Sequence, residues 1–266
     1  MKKRKGINSF DRKRWVESWK ANWSNGKYAP FVRTEDVPSS GNKHRCRGIK
    51  SNRVHHFLSA NEYFFFIKLE FQPEVLAIYE QFPMLPLMMT KGIAKELEIT
   101  HPKYPRTQTD MILTTDFVIQ LDSGEWRAYS IKPETAMKNA RTIKKQVIEK
   151  AYWELHGIVW EIVLDSQLKT TESSNLSLLR HYSELPSGNT IDIKKWMRNF
   201  RLSIIENDNE RMSKILYYTS INSNIDQKSS STIFFYCIWH RLIKVNLDTP
   251  IHLEKTPNDL GISFHA

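Results

Sequence analysis

Cysteine is nearly absent from this chain, with only Cys46 and Cys237 in 266 residues. The two stand far apart without metal-ligand spacing, which argues against a disulfide framework or a zinc finger and fits a reducing, cytoplasmic setting. Long apolar runs are also missing, so no membrane role is expected. The basic opening Met1-Lys-Lys-Arg-Lys-Gly6 runs into Ile7-Asn-Ser-Phe-Asp11, where a signal peptide would need an apolar core. A hydrophobic content of 40% with 12% aromatic residues is too rich for a disordered chain and suits a folded one with real cores.

Positive charge is plentiful but unevenly placed. Of a net charge of +10, residues 1–53 carry fifteen Lys and Arg against four Asp and Glu, so the remainder of the chain sums to −1. Lys2 to Lys5 and Arg12 to Arg14 form an N-terminal basic arm, and Lys43, Arg45, Arg47, Lys50 and Arg53 are the candidate contacts to a nucleic-acid backbone. A solvated arm without a partner is the plainer alternative. The interleaved Trp15, Trp19, Trp23, Tyr28 and Phe31 are read mainly as core.

The pattern predicts a helix over residues 10–23 and a strand pair over 46–58 turning at 50–52. A buried helix over 60–69, a strand over 75–81 and a short helix over 91–97 follow. His55 and His56 are adjacent, so on a strand they face opposite ways, and one buried, hydrogen-bonded His is expected rather than a shared metal site. Asp122-Ser-Gly-Glu125 reads as a hairpin turn between the runs 113–121 and 126–132. A helix over 142–156 is expected to bury Ile143, Val147, Ile148, Ala151 and Leu155, with Glu149 off that stripe. Residues 158–164 then read as a strand of the buried type.

Three residues carry chemistry. Asp116 lies in a strand-like run, Lys132 closes the next one, and the hairpin brings the two together; Glu62 opens the helix over 60–69. Two carboxylates and a Lys at a sheet edge suit Mg²⁺-dependent phosphodiester cleavage. The carboxylates hold the ion, and the ammonium orients water or offsets phosphate charge. Simpler roles stand beside this. Ser59-x-x-Glu62 is a capping box, and Lys132 could serve only as the ion-pair partner of a buried Asp116.

The spacing D-x₁₃-S-x-K over Asp116, Ser130 and Lys132 resembles the PD-(D/E)xK nuclease signature. Val37-Pro-Ser-Ser-Gly41, Arg53-Val-His-His-Phe-Leu-Ser59, Glu62 and Glu80-Gln-Phe-Pro-Met-Leu-Pro86 resemble, in order, the TnsA-type endonuclease subunit of heteromeric bacterial transposases. Thr115-Asp116-Phe117, Ile131-Lys132-Pro133 and Glu149-Lys-Ala-Tyr-Trp153 continue the match. The resemblance implies an α/β, restriction-endonuclease-like mixed sheet flanked by helices. It implies Mg²⁺, with Mn²⁺ able to substitute, held by Glu62, Asp116 and the Ile131 carbonyl, and Glu149 near the site. The family's usual Gln two residues before the Lys is replaced here by Ser130, to which a secondary polar role falls. The implied activity is hydrolysis at the 5′ ends of a transposon during cut-and-paste transposition, by a protein that is cytoplasmic and nucleoid-associated when active. The implied partners are transposon-end DNA, an RNase H-like transposase of the TnsB type and an ATP-dependent regulator of the TnsC type. A stand-alone restriction or junction-resolving nuclease and a non-catalytic DNA-binding scaffold stay open as alternatives.

A polar stretch at 165–174 marks a boundary between a catalytic domain, 1–168, and a C-terminal domain, 169–266. The second is expected to be mainly helical, over 176–182, 193–205, 210–218 and 232–239, the last capped by Ser229-Ser-Ser231, with a closing strand over 242–247 that suggests a winged helix. Its eleven basic and ten acidic residues from Thr170 onward make it near neutral, so it is assigned to contact with the regulator rather than with DNA.

Overall fold

Turn chemistry at residues 122–125 closes the central hairpin. Gly124 takes a φ of 84°, open to glycine at no steric cost, and joins β4 (Thr114–Leu121) to β5 (Trp126–Lys132). The computed structural model describes residues 6–36, 42–186 and 191–264, and the chain divides into two units, Met1–Leu168 and Lys169–Ala266. The Lys2 to Lys5 arm and the Val37 to Gly41 segment lie outside the described residues.

In the first unit the preceding elements are α1 (Ser9–Ser24), β1 (His44–Arg47), β2 (Val54–Phe57), α2 (Ala60–Phe71), β3 (Val75–Pro83) and α3 (Leu87–Glu96). α4 (Ala140–Leu155) and β6 (Val159–Leu164) follow the hairpin. The sheet order is β3-β4-β5-β6, antiparallel except for the parallel β5–β6 pair, a mixed sheet of the restriction-endonuclease-like class. β1 and β2 pair separately, with Cys46 opposite His55.

Strand alternation sends neighbouring residues to opposite faces. Phe117 stacks toward α2, with its ring centroid 5.4 Å from Phe65, which also lies 5.0 Å from Tyr129. Val118 and Ala128 face the other layer and pack with Ile93 and Ala94 of α3 and Ile148, Tyr152 and Trp153 of α4. Both faces of the sheet are thus covered.

Three expectations are corrected here. Ile143, Val147 and Leu155 of α4 are exposed, while Gln146, Ile148, Glu149, Tyr152 and Trp153 turn inward. The two aromatic rings bury the larger apolar area and each finds a polar anchor, Tyr152 on the Leu85 carbonyl and Trp153 on the Thr115 hydroxyl. β6 is a partly exposed edge strand rather than a buried one, because only β5 flanks it. The helix expected over 91–97 begins at Leu87.

The second unit holds α5 (Thr171–Arg180), α6 (Ile193–Glu206), α7 (Met212–Ser223) and α8 (Gln227–Trp239), with a two-residue antiparallel ladder of β7 (Ile243–Lys244) and β8 (Ser263–Phe264). Trp196 stacks on Phe200 at 4.9 Å and donates to the Ser230 hydroxyl, itself bonded to the Leu216 carbonyl. α8 starts before the serines, on the N-cap Asp226, which accepts from Ser229. The closing strand is shorter than expected, a two-residue ladder of Ile243 and Lys244, beyond which the Asn246 amide bonds the Leu260 carbonyl outside any strand.

Arg53 also departs from expectation. Its guanidinium grips the fully buried Glu80 at 2.8 and 2.5 Å and bonds the Ile78 carbonyl, while His55 meets the same carboxylate at 2.8 Å. The buried His55 therefore follows the sequence reading, and the Arg53 guanidinium is committed to Glu80 and the Ile78 carbonyl. Lys50 is likewise tied to the carbonyls of Gln72 and Val75. Burial pushes the Glu80 carboxyl up, yet Arg53 and His55 together hold it at about 2. A group so depressed contributes stability above its ordinary 4.5 and loses it as pH falls through about 2. Arg53→Met should cost about 3–5 kcal/mol in urea unfolding at neutral pH, because it strands a buried charge. The gap from wild type should narrow on acidification toward pH 2.

Candidate active site

Asp116 reaches the site because β4 is held between β3 and β5. Its Oδ2 accepts from the Ile131 amide at 2.8 Å and the Lys132 ammonium at 2.6 Å, with the Ser130 hydroxyl further off at 3.4 Å. Its Oδ1 accepts from Gln81 Nε2 at 3.1 Å, and Gln81 Oε1 is held in turn by the Thr114 hydroxyl at 3.0 Å. Gln81 was not singled out in the sequence. It sits inside β3 with a φ of 52°, a left-handed backbone rare for a non-glycine residue and found where tertiary structure imposes it. Only the pairing of β3 with β4 could have revealed its part.

Glu62 comes from the first turn of α2, where Ser59 caps the helix through the Glu62 amide. The Glu62 carboxylate accepts from the Ser59 hydroxyl at 3.0 Å and the Leu58 amide at 2.9 Å. Glu62 thus caps the helix and lies within the electrostatic reach of Asp116 at the same time. Burial, and next the charge of Asp116, push its carboxyl up to about 8. Glu149, on the inner face of α4, is pushed up to about 7 by burial; Lys132 pulls it back and Asp116 adds to the rise. Its Oε1 has no hydrogen-bond partner, and the Oε1 of buried Gln146, one turn earlier, has none either. Gln146 is a second residue the sequence reading passed over, since a Gln in a helix carries no signal until its burial is known.

Burial alone would pull Lys132 down, but Asp116, Glu149 and Glu62 outweigh it and hold the amine above its ordinary range. Lys132 is therefore an ammonium at neutral pH, suited to stabilising negative charge and not to accepting a proton. With Asp36, Thr114, Lys145, Gln146 and Glu149, it lines a cavity of about 310 Å³.

The structure thus brings together Glu62, Asp116, Ser130, Ile131, Lys132 and Glu149. Lys50 and Arg53 bond internal groups, while Arg45 and Arg47 lie on the exposed side of β1, Arg47 bonded to Asn52, and exposed Lys43 donates to the Thr34 carbonyl. Among the described residues no three His, Cys, Asp or Glu side chains stand as a metal-holding cluster. The donor set is smaller and hard. Lys132 Nζ lies 2.6 Å from Asp116 Oδ2 and 3.0 Å from the Ile131 carbonyl oxygen, so two of the oxygens assigned to a cation already converge on one positive charge. Asp116 and Lys132 offset one another, and the raised Glu62 and Glu149 carboxyls would ionise more readily beside a cation, so oxygen donors of this kind fit Mg²⁺.

A mixed sheet carrying this Asp-Lys pair, with a helix-borne Glu beside it, is the arrangement of the restriction-endonuclease-like fold class. Residues 72–165, which include Asp116, Lys132 and Glu149, match the family described as TnsA-like endonuclease N terminal. The chain is 36% identical over 154 residues to the transposon Tn7 transposition protein TnsA of Escherichia coli, covering 57% of this chain and 55% of that protein. The chain thus spans about half the length of the curated relative it matches. Residues 72–165 are thus similar to the TnsA-like endonuclease family, in line with the resemblance of the sequence motifs.

A carboxyl raised in the folded state stabilises fully below its ordinary pKa, and that contribution is lost as pH rises through the folded value. For Glu62 the window runs from 4.5 to about 8. In EDTA the melting temperature should therefore fall across that window, and Glu62→Gln should flatten the decline. A decline of equal depth in both proteins would refute the assignment.

Proposed function

We propose that this chain is the Mg²⁺-dependent endonuclease subunit of a heteromeric bacterial transposase, hydrolysing one phosphodiester at each 5′ end of the element. The observation that carries the reading is the convergence of Lys132, Asp116 Oδ2 and the Ile131 carbonyl at the β4–β5 edge, inside a TnsA-type domain. Glu62 and Asp116, with the Ile131 carbonyl, would hold the ion. When bound, it supplies Lewis-acid polarisation and a more acidic water. Lys132, fixed as an ammonium, stabilises charge growing on the phosphate. Glu149, poised near neutrality beside Lys132, is the proton acceptor best matched to pH 7. Gln81 and the Ile131 amide orient Asp116, and Ser130 adds a longer hydroxyl contact to the same oxygen.

The printed name of the relative, a transposition protein, supports placing this activity in transposition. On that reading an RNase H-like transposase of the TnsB type cuts the 3′ ends, and an ATP-dependent regulator of the TnsC type meets the helical C-terminal unit. Among the described residues no helix is long and apolar enough to cross a membrane. The scaffold alternative predicts binding of transposon ends without chemistry.

With an RNase H-like transposase of the TnsB type, a transposon-end substrate and Mg²⁺, wild type should nick the 5′ ends. Asp116→Ala should lose those nicks and keep the 3′ ones. Lys132→Ala should slow them about 10²–10³-fold, and Ser130→Ala should act far more weakly. Identical nick patterns for wild type and Asp116→Ala would move the chemistry to the partner.

A further inference from the structure

A second cavity, of about 620 Å³, lies along the N-terminal turns of α4 and the segment 99–108. Lys103, Arg141, Lys144 and Lys145 line it, the last three on one helix face at the i, i+3 and i+4 positions. Lys103, Arg141 and Lys144 are exposed and Lys145 half-buried. None of the four makes an ion pair with a carboxylate among the described residues. Nearby Asp110 is engaged by Lys91 at 2.8 Å. His101, also in the wall, is held below its ordinary range, first by burial, and adds no charge. Burial first, then the like charges of Arg141 and Lys132, lower Lys145, against a smaller pull upward from Glu149. Lys145 and Pro105 line this groove and the Lys132–Glu149 cavity alike, which joins the two into one path.

We infer that this groove binds the sugar-phosphate backbone of duplex DNA next to the scissile bond, with Lys103, Arg141, Lys144 and Lys145 as phosphate contacts. The choice of DNA as ligand rests on the nuclease reading; the groove and its charge do not. Four cations without a close carboxylate ion pair, leading to a cavity that holds an ammonium and a near-neutral carboxyl, suit a chain of phosphates better than a single anion. Contacts of this kind position the strand without reading its sequence.

The test is the salt dependence of binding to a short mixed-sequence duplex in EDTA, by fluorescence anisotropy on the full chain. Arg141→Ala/Lys144→Ala should weaken binding several-fold and reduce the slope of log K against log salt by about 2, one per lost contact. Lys95→Ala/Lys150→Ala removes equal charge from exposed helix positions outside the groove and should bind as wild type does. Unchanged binding by the groove variant, or an equal loss in the control, would overturn the inference. Both pairs are exposed, so thermal melting should show all variants folded. Because nothing is cleaved in EDTA, the two readings fail separately. Loss of slope with unchanged nicking by Asp116→Ala would remove the nuclease assignment and keep the groove. Normal slope with nicking lost in Asp116→Ala would do the reverse.

Discussion

The carboxylate of Asp116 is the point on which the site depends. It sits on β4 and takes bonds from both neighbouring strands: Gln81 of β3 on one oxygen, and the Ile131 amide and Lys132 ammonium of β5 on the other. A carboxylate at the edge of an apolar sheet is costly unless each oxygen is satisfied. Meeting that requirement holds the register of three strands at the end where α2 delivers Glu62. It also explains a non-glycine residue in a left-handed conformation within a strand, since that backbone lets Gln81 turn its amide toward Asp116.

The same burial that makes these groups expensive makes them useful. Glu62 and Glu149 are driven toward neutrality by desolvation, and Lys132 is held charged by the carboxylates around it. Burial and neighbouring charge thus move the carboxyls and the amine of one cluster to pKa values unlike those of the same groups in water. The exposed apolar stripe of α4 follows from the same geometry. With Tyr152, Trp153, Ile148, Glu149 and Gln146 all turned inward, Ile143, Val147 and Leu155 are left outside.

Charge shows the limits of summation. The net charge after Arg53 is slightly negative, and the excess of positive charge lies in the N-terminal segment. Within that near-neutral remainder, four cations converge on one groove beside the site, while Lys50 and Arg53 of the strongly basic segment are spent on internal carbonyls and on Glu80. A running count records how many charges a segment holds and nothing of which ones face the same space.

What could be read from sequence was whatever depends on local chemistry or on an ordered motif. The hairpin turn, the capping box at Ser59 and Glu62, the Asp116–Lys132 pairing, the mixed sheet and the family resemblance are all of this kind. Each is set by residues close along the chain or by strand alternation, so few alternatives compete. What only the tertiary structure decided was which way each surface faced. It selected the aromatic side of α4 over its aliphatic stripe, put β6 at an edge, took Arg53 into the core and brought Gln81 and Gln146 into the site. These outcomes turn on burial, and burial depends on partners far away in the chain, which no local pattern encodes.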